Sequence, residues 1–117
     1  MSGKERVVFL DRAAFTADEL PIPAFDHNWS EYPETEPADV VPRLFWATTA
    51  ITHGCPLDAE AIGQLHKLRR IVVTGPAAVD AAACKVRGIA VHHLGSGGAA
   101  GHALITLLES LTAEAGG

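Results

Sequence analysis

The sequence predicts a three-layer α/β domain built on a five-stranded parallel sheet. Three observations carry that reading. Short apolar runs, Val7-Val8-Phe9-Leu10 and Ile71-Val72-Val73 among them, are hydrophobic throughout instead of alternating, as strands covered on both faces are. Amphipathic helical stretches separate the runs in regular alternation, the pattern of a sheet with helices on both sides. The 117 residues amount to one domain, 1–117, large enough to bury roughly two-thirds of the unfolded surface without staples.

Each element has a local reason. Val7 to Leu10 is the first strand, followed by a stretch broken at Pro21 and Pro23 with room for a helical turn at Thr16 to Leu20. Asn28-Trp29-Ser30-Glu31-Tyr32 alternates in polarity and fits a short, more exposed strand. Pro37 suits a first helical turn, and Val40, Val41, Leu44 and Phe45 form one apolar stripe, so a helix is expected over Pro37 to Phe45. Ala47 to Thr52 is the third strand. Asp58 is placed to cap a helix that buries Ala61, Ile62 and Leu65. Ile71 to Val73 is a β-branched central strand, and Val79 to Val86 a helix closed by Gly88. Ile89-Ala90-Val91 is the fifth strand, and the last helix runs from Ala103 to about Ala113. The most economical layout at this length is the flavodoxin-like order 2-1-3-4-5.

Composition excludes several roles. The formal net charge is −5, with no basic stripe carrying interleaved aromatics, which speaks against nucleic acid. No apolar run approaches the ~20 residues that span a bilayer. Met1 to Arg6 lead directly into a strand, so no signal peptide is expected, and two lone thiols, Cys55 and Cys84, fit a reducing cytoplasm.

The run Gly95-Ser96-Gly97-Gly98-Ala99-Ala100-Gly101 lies between a strand and a helix, the setting of a dinucleotide-binding turn. Such a site also needs a second strand ending in an acid about 20 positions further on. Glu109 and Glu114 fall instead on or just after the final helix. The run is therefore expected to bind a small anion at a helix start, or to re-route the last helix over the sheet.

Ligands of a doubly wound sheet bind beyond the carboxyl ends of the strands. The candidate ligand-binding residues there are Arg12; Thr52, His53, Gly54 and Cys55; Thr74 and Gly75; His92 and His93; and Gly95, Ser96, Gly97 and Gly98. Arg12 is the cation at this edge, able to hold an acidic ligand or to cap a loop. No metal is expected, because adjacent strand residues such as His92 and His93 point to opposite faces and no close ligand pair exists. Cys55 is a weak candidate nucleophile, and Cys84 reads as a small core residue. Arg69 and Arg70 precede the fourth strand, at the opposite edge, solvated or paired with acids. Trp29 and Trp46 read as core or interface aromatics.

Several segments together resemble a known family. These are Val8-Phe9-Leu10-Asp11-Arg12; Pro23-Ala24-Phe25 with His27, Trp29 and Tyr32; Ile51-Thr52; Pro56-Leu57-Asp58; Leu65 and Leu68; Val79-Asp80; Ala83-Cys84; and Arg87-Gly88-Ile89-Ala90-Val91. They resemble the D-isomer-specific 2-hydroxyacid dehydrogenases, in particular the glycerate dehydrogenase and hydroxypyruvate reductase branch. The resemblance is to the substrate (catalytic) domain alone and implies a flavodoxin-like fold. It also implies that NAD and the catalytic arginine, glutamate and histidine belong to a further domain that these residues do not match. No catalytic residue is assigned, and no cofactor is expected in this chain. His102 matches a helical histidine that follows a glutamate in the family, replaced here by Gly101. The family holds the substrate carboxylate on backbone N–H groups of the loop after the fourth strand. Here that loop is Thr74-Gly75-Pro76-Ala77-Ala78-Val79-Asp80, shorter and with one donor removed by Pro76. His53-Gly54-Cys55 also departs from the family pattern.

Two readings of function follow. One is a stand-alone substrate-domain-like protein without redox activity of its own, binding a small anionic ligand or a protein. The other is a component of a split NAD-dependent oxidoreductase acting on a 2-hydroxy or 2-oxo acid, with a separate Rossmann-domain partner. The last helix places Leu104, Leu107, Leu108 and Leu111 on one face and Ile105 toward the other. An exposed Ile105 face would favour a homodimer through this helix.

Overall fold

Five parallel strands form one sheet in the order β2-β1-β3-β4-β5. They are β1 (Glu5–Phe9), β2 (His27–Glu31), β3 (Thr49–Thr52), β4 (Arg70–Val73) and β5 (Ala90–His93). The structure is a computed structural model that describes residues 5–14, 27–75, 77–94 and 103–110. The predicted fold class and strand order both hold. The turn expected at Thr16 to Leu20, the glycine run, His102 and Leu111 lie outside the described residues.

The helices follow the capping chemistry of the sequence. Pro37–Asp39 makes a 3-10 turn that runs into α1 (Val40–Leu44). Pro42 is tolerated there because the first turn of a helix leaves its N–H groups unbonded anyway. In α2 (Ala59–Gln64) the Asp58 carboxylate accepts the Ala61 N–H at 2.8 Å. In α3 (Ala81–Arg87) Asp80 does the same for Ala83 at 3.0 Å, so this helix starts two residues later than its apolar pattern predicts. Val79 is instead drawn into a parallel bridge with Leu57. Gly88 ends α3 in the left-handed region, φ 72°, where a side chain is disfavoured. A fourth helix, α4, spans 103–110.

Each face of the sheet carries its own core. Val8, Ala50, Ile71 and Val73 pack with Val40, Leu44, Ile62, Leu65 and Cys84 on one side. Val7, Phe9, Ile51 and Val72 pack with Leu104, Ile105 and Leu108 on the other. The strand register keeps these rows aligned, with Val7 beside Thr49, Thr49 beside Arg70, and Val72 beside His92.

Two expectations are corrected. Ile105 is only 3% exposed: α4 lies on a broad apolar sheet face and buries residues 104, 105 and 108 together. The exposed Ile105 face on which a homodimer through this helix would rest is therefore not present. Of the core and interface positions expected for Trp46, the core one does not hold: the residue is 60% exposed. The Ala47 N–H closes back on the Leu44 carbonyl at 2.9 Å, so Leu44 and Ala47 point inward and Phe45 and Trp46 outward. This turn also delays the start of β3 to Thr49.

At the amino ends of the strands lies a largely buried ion pair. Arg70 Nη1 donates to Glu5 Oε1 at 2.6 Å and to Thr49 Oγ1 at 2.8 Å. Arg70 is 4% exposed. Of the two partners foreseen for it, solvent or an acid, the fold supplies the acid, and the three residues tie β1, β3 and β4 together.

Candidate functional site

The carboxyl edge of the sheet is organised around Asp11. It lies two residues past the last residue of β1, and the Leu10 N–H bond to the Ile51 carbonyl, 2.9 Å, places it at the end of β3. Its carboxylate accepts three consecutive backbone N–H groups: His53 at 2.7 Å, Gly54 at 2.6 Å and Cys55 at 3.1 Å. Successive N–H groups converging in this way form an anion-binding nest, and here the anion is the chain's own side chain. Thr52 locks the same turn from below, accepting the Cys55 N–H at 3.1 Å and donating to the Cys55 carbonyl at 2.8 Å. Thr52 is wholly buried, so its hydroxyl serves the turn.

The loop after β4 is tied into the same assembly. Thr74 N–H donates to the Thr52 carbonyl at 2.9 Å and Ala77 N–H to the His53 carbonyl at 2.9 Å. Asp80 N–H donates to the Leu57 carbonyl at 3.0 Å, and Leu57 N–H to the Ala78 carbonyl at 2.9 Å. The His53 ring lies flat against Gly75: a Cβ there would sit 2.6 Å from its Nδ1. His53 Nδ1 is also 3.2 Å from Thr74 Oγ1. Gly75 is thus required for close approach of the imidazole.

The other candidates separate. Arg12 Nε is paired with Glu31 Oε2 at 3.4 Å, and its backbone N–H donates to the Tyr32 carbonyl, so it fastens the β1 and β2 ends. Cys55 is buried, and its thiol donates to the Thr35 carbonyl at 3.6 Å. Burial first, and the Asp11 charge second, push this thiol above its ordinary value despite the opposing pull of Arg43. The thiolate that a nucleophile requires is disfavoured. Cys84 is buried, as expected, and burial likewise raises its thiol, with Asp80 adding to the effect. His92 and His93 stand beside Val72 and Val73 in β4 and so face opposite sides of the sheet. His92 Nε2 is buried with no hydrogen-bond partner among the described residues. Among the described residues, no group of three histidine, cysteine or acidic side chains could share a metal ion. Gly95, Ser96, Gly97 and Gly98 lie outside the described residues.

The edge thus joins Thr52, His53, Gly54, Cys55, Thr74 and Gly75 into one cluster. Arg12, in the turn that follows β1, stands apart from it against the end of β2, and His92 and His93 stand apart on β5. The sequence names Asp11 only within the segment Val8 to Arg12, without giving it a role. Its signal is an acid directly after the buried run Val7 to Leu10, opposite a short glycine-containing turn.

The class defined by this architecture is a parallel α/β domain whose loops after β3 and β4 are joined at the carboxyl edge. No family model matches the chain. It is 36% identical over 92 residues to a curated protein of Haemophilus influenzae named "Putative 2-hydroxyacid dehydrogenase", covering 76% of this chain. Among solved structures it is similar to the NAD+-bound 3-phosphoglycerate dehydrogenase of Entamoeba histolytica, with a TM-score of 0.61 at 19% identity over 79% of this chain. The chain spans 29% of the length of the first protein and 33% of the second. The resemblance to 2-hydroxyacid dehydrogenases read from the sequence is borne out, as a resemblance to part of such a protein. Among the described residues, no helix is long and apolar enough to cross a membrane.

Proposed function

We propose that these 117 residues act as a binding module on a 2-hydroxyacid dehydrogenase substrate-domain fold, without hydride transfer of their own. One observation carries this reading: the Asp11 carboxylate fills the N–H nest of His53, Gly54 and Cys55. The neighbouring loop reinforces it, since the Thr74, Ala77 and Asp80 N–H groups are bonded within the chain. An acid entering this edge meets the Asp11 carboxylate at the turn after β3. Hydride transfer also needs a nicotinamide held against the substrate with a proton donor beside it. The single sheet described here is fully engaged in its own two cores.

The side chain of the cluster best placed to meet a ligand is the His53 imidazole, resting on Gly75. Beside the Asp11 carboxylate it suits a small polar ligand better than a strong anion, which Asp11 would repel. The two free thiols support a reducing, cytoplasmic setting.

The 36% identity to a protein named as a 2-hydroxyacid dehydrogenase favours a second reading. In it, these residues are the substrate half of an NAD-dependent oxidoreductase whose cofactor half is another domain or chain. Calorimetric titration of NADH into the 117-residue chain, with and without a 2-oxo acid, tests the first reading. No saturable heat is expected. Submicromolar binding, or oxidation of NADH that depends on the 2-oxo acid, overturns it.

A further inference from the structure

A second concave surface lies at the other end of the molecule, near the amino ends of β1 and β2. It is a cavity of about 120 Å³ lined by Arg6, Asn28, Ser30, Arg43, Trp46 and Ala47, together with Val7 and Val8. The register puts Arg6 beside Asn28 and Val8 beside Ser30, so all four share the face toward α1. These residues are far apart in sequence, and only the fold assembles them.

Their chemistry is distinctive for a chain of net charge −5. Two guanidinium groups meet two small polar side chains and an indole that is 60% exposed. Lys67 Nζ stands 6.0 Å from the centre of the Trp46 ring, adding a third cation. Arg43 is held in place: its Nη1 donates to the Glu34 carbonyl and to Thr35 Oγ1, both at 2.7 Å. Its guanidinium also stacks 4.0 Å over the Tyr32 ring. Trp46 is held by an edge-on contact with Phe45, ring centres 5.1 Å apart. Arg6 makes no ion pair among the described residues. The surface is therefore preorganised on the Arg43 and Trp46 side and has an available charge on the Arg6 side.

We infer that this cavity binds a small oxyanion, phosphate or carboxylate, carried on a planar ring. The oxyanion lies between Arg6 and Arg43, with Asn28 and Ser30 as further donors, and the ring packs on Trp46. Size selects this class. At about 120 Å³ the cavity is well below the ~300 Å³ at which pockets for drug-sized ligands begin. A charged group and one ring edge fit; a dinucleotide does not. Charge selects it as well, because guanidinium forks match oxyanions and stack on aromatic faces.

The test is a fluorescence titration of the full chain in a Trp29→Phe background, which leaves Trp46 as its one indole. Phenyl phosphate and benzoate are expected to quench Trp46 saturably, and inorganic phosphate to bind more weakly. Arg6→Gln, at an exposed side chain, is expected to weaken phenyl phosphate by about tenfold. Trp46→Leu, followed by calorimetry, is expected to bring the affinity for phenyl phosphate down to that for inorganic phosphate. Unchanged affinity in Arg6→Gln, equal binding of neutral benzyl alcohol, or equal binding of inorganic phosphate to the parent chain overturns the assignment. So does binding of a glutamate-rich peptide with no response to phenyl phosphate, which would make the surface a protein-docking site.

Discussion

The Asp11 carboxylate accepts the Gly54 N–H at 2.6 Å, the shortest of three bonds that close the turn after β3. This contact joins residues far apart in the sequence and determines what the carboxyl edge offers a ligand. Substituting Asp11→Asn keeps the size of the side chain but removes its charge and presents N–H against N–H at one of its two positions. A destabilisation of about 3 kcal/mol is expected from the loss of charge-assisted bonds to buried donors. Denaturant midpoints compare the two chains.

The Glu5–Arg70 pair predicts a specific dependence on pH. Burial alone pushes the Glu5 carboxyl up, but the hydrogen bonds from Arg70 and Thr48 and the charges of Arg70 and Arg69 outweigh it and hold it below the ordinary 4.5. A carboxyl lowered in the folded state contributes stability that is complete above 4.5 and lost as pH falls below it. The stability difference between the parent chain and Glu5→Gln is therefore expected to shrink on acidification below that value. At neutral pH Arg70→Ala, which strands the carboxylate, is expected to cost about 3 kcal/mol.

Both thiols are expected to be slow. Burial raises Cys55 and Cys84, and Asp11 adds to the effect at Cys55. A disulfide reagent at neutral pH is expected to label the native chain at least about tenfold more slowly than the denatured chain. Equal rates would mean that the turn after β3 is open.

Gly75→Ala probes the seat of His53. The added methyl meets the imidazole at 2.6 Å, and the ring, being the end of a side chain, is expected to swing away from Thr74. Stability is expected to fall by less than about 1 kcal/mol, while the His53 ring resonances move in NMR spectra. Gly88→Ala is expected to cost about 1 kcal/mol with no such change, because it strains only the left-handed end of α3.

Much of the fold was legible because burial on both faces leaves a plain mark. Val7 to Leu10 and Ile71 to Val73 are apolar without interruption, and Asp58 and Gly88 announce helix ends through local chemistry. Boundaries were less legible where tertiary contacts compete with local pattern. Val79 looks helical by spacing, yet Leu57 recruits it into a bridge. Ile105 falls off the narrow leucine stripe, but a sheet is flatter than a helix and accepts a wider face. Trp46 exposes an indole because Leu44 and Ala47 occupy the inward positions of the turn. Of the candidate site, the residues near Thr52 and Thr74 were found because strand ends are a topological rule. The role of Asp11 was hidden, since nothing local tells a carboxylate facing a ligand from one facing its own backbone.

The most direct test of the closed carboxyl edge is a titration of the isotopically labelled chain with lactate, the simplest chiral 2-hydroxy acid, followed by backbone amide shifts. The account predicts no saturable change at the amides of His53, Gly54, Cys55 and Ala77, whose hydrogens are already bonded within the chain. Saturable shifts at those four amides would show that lactate displaces the internal acceptors, contradicting the account.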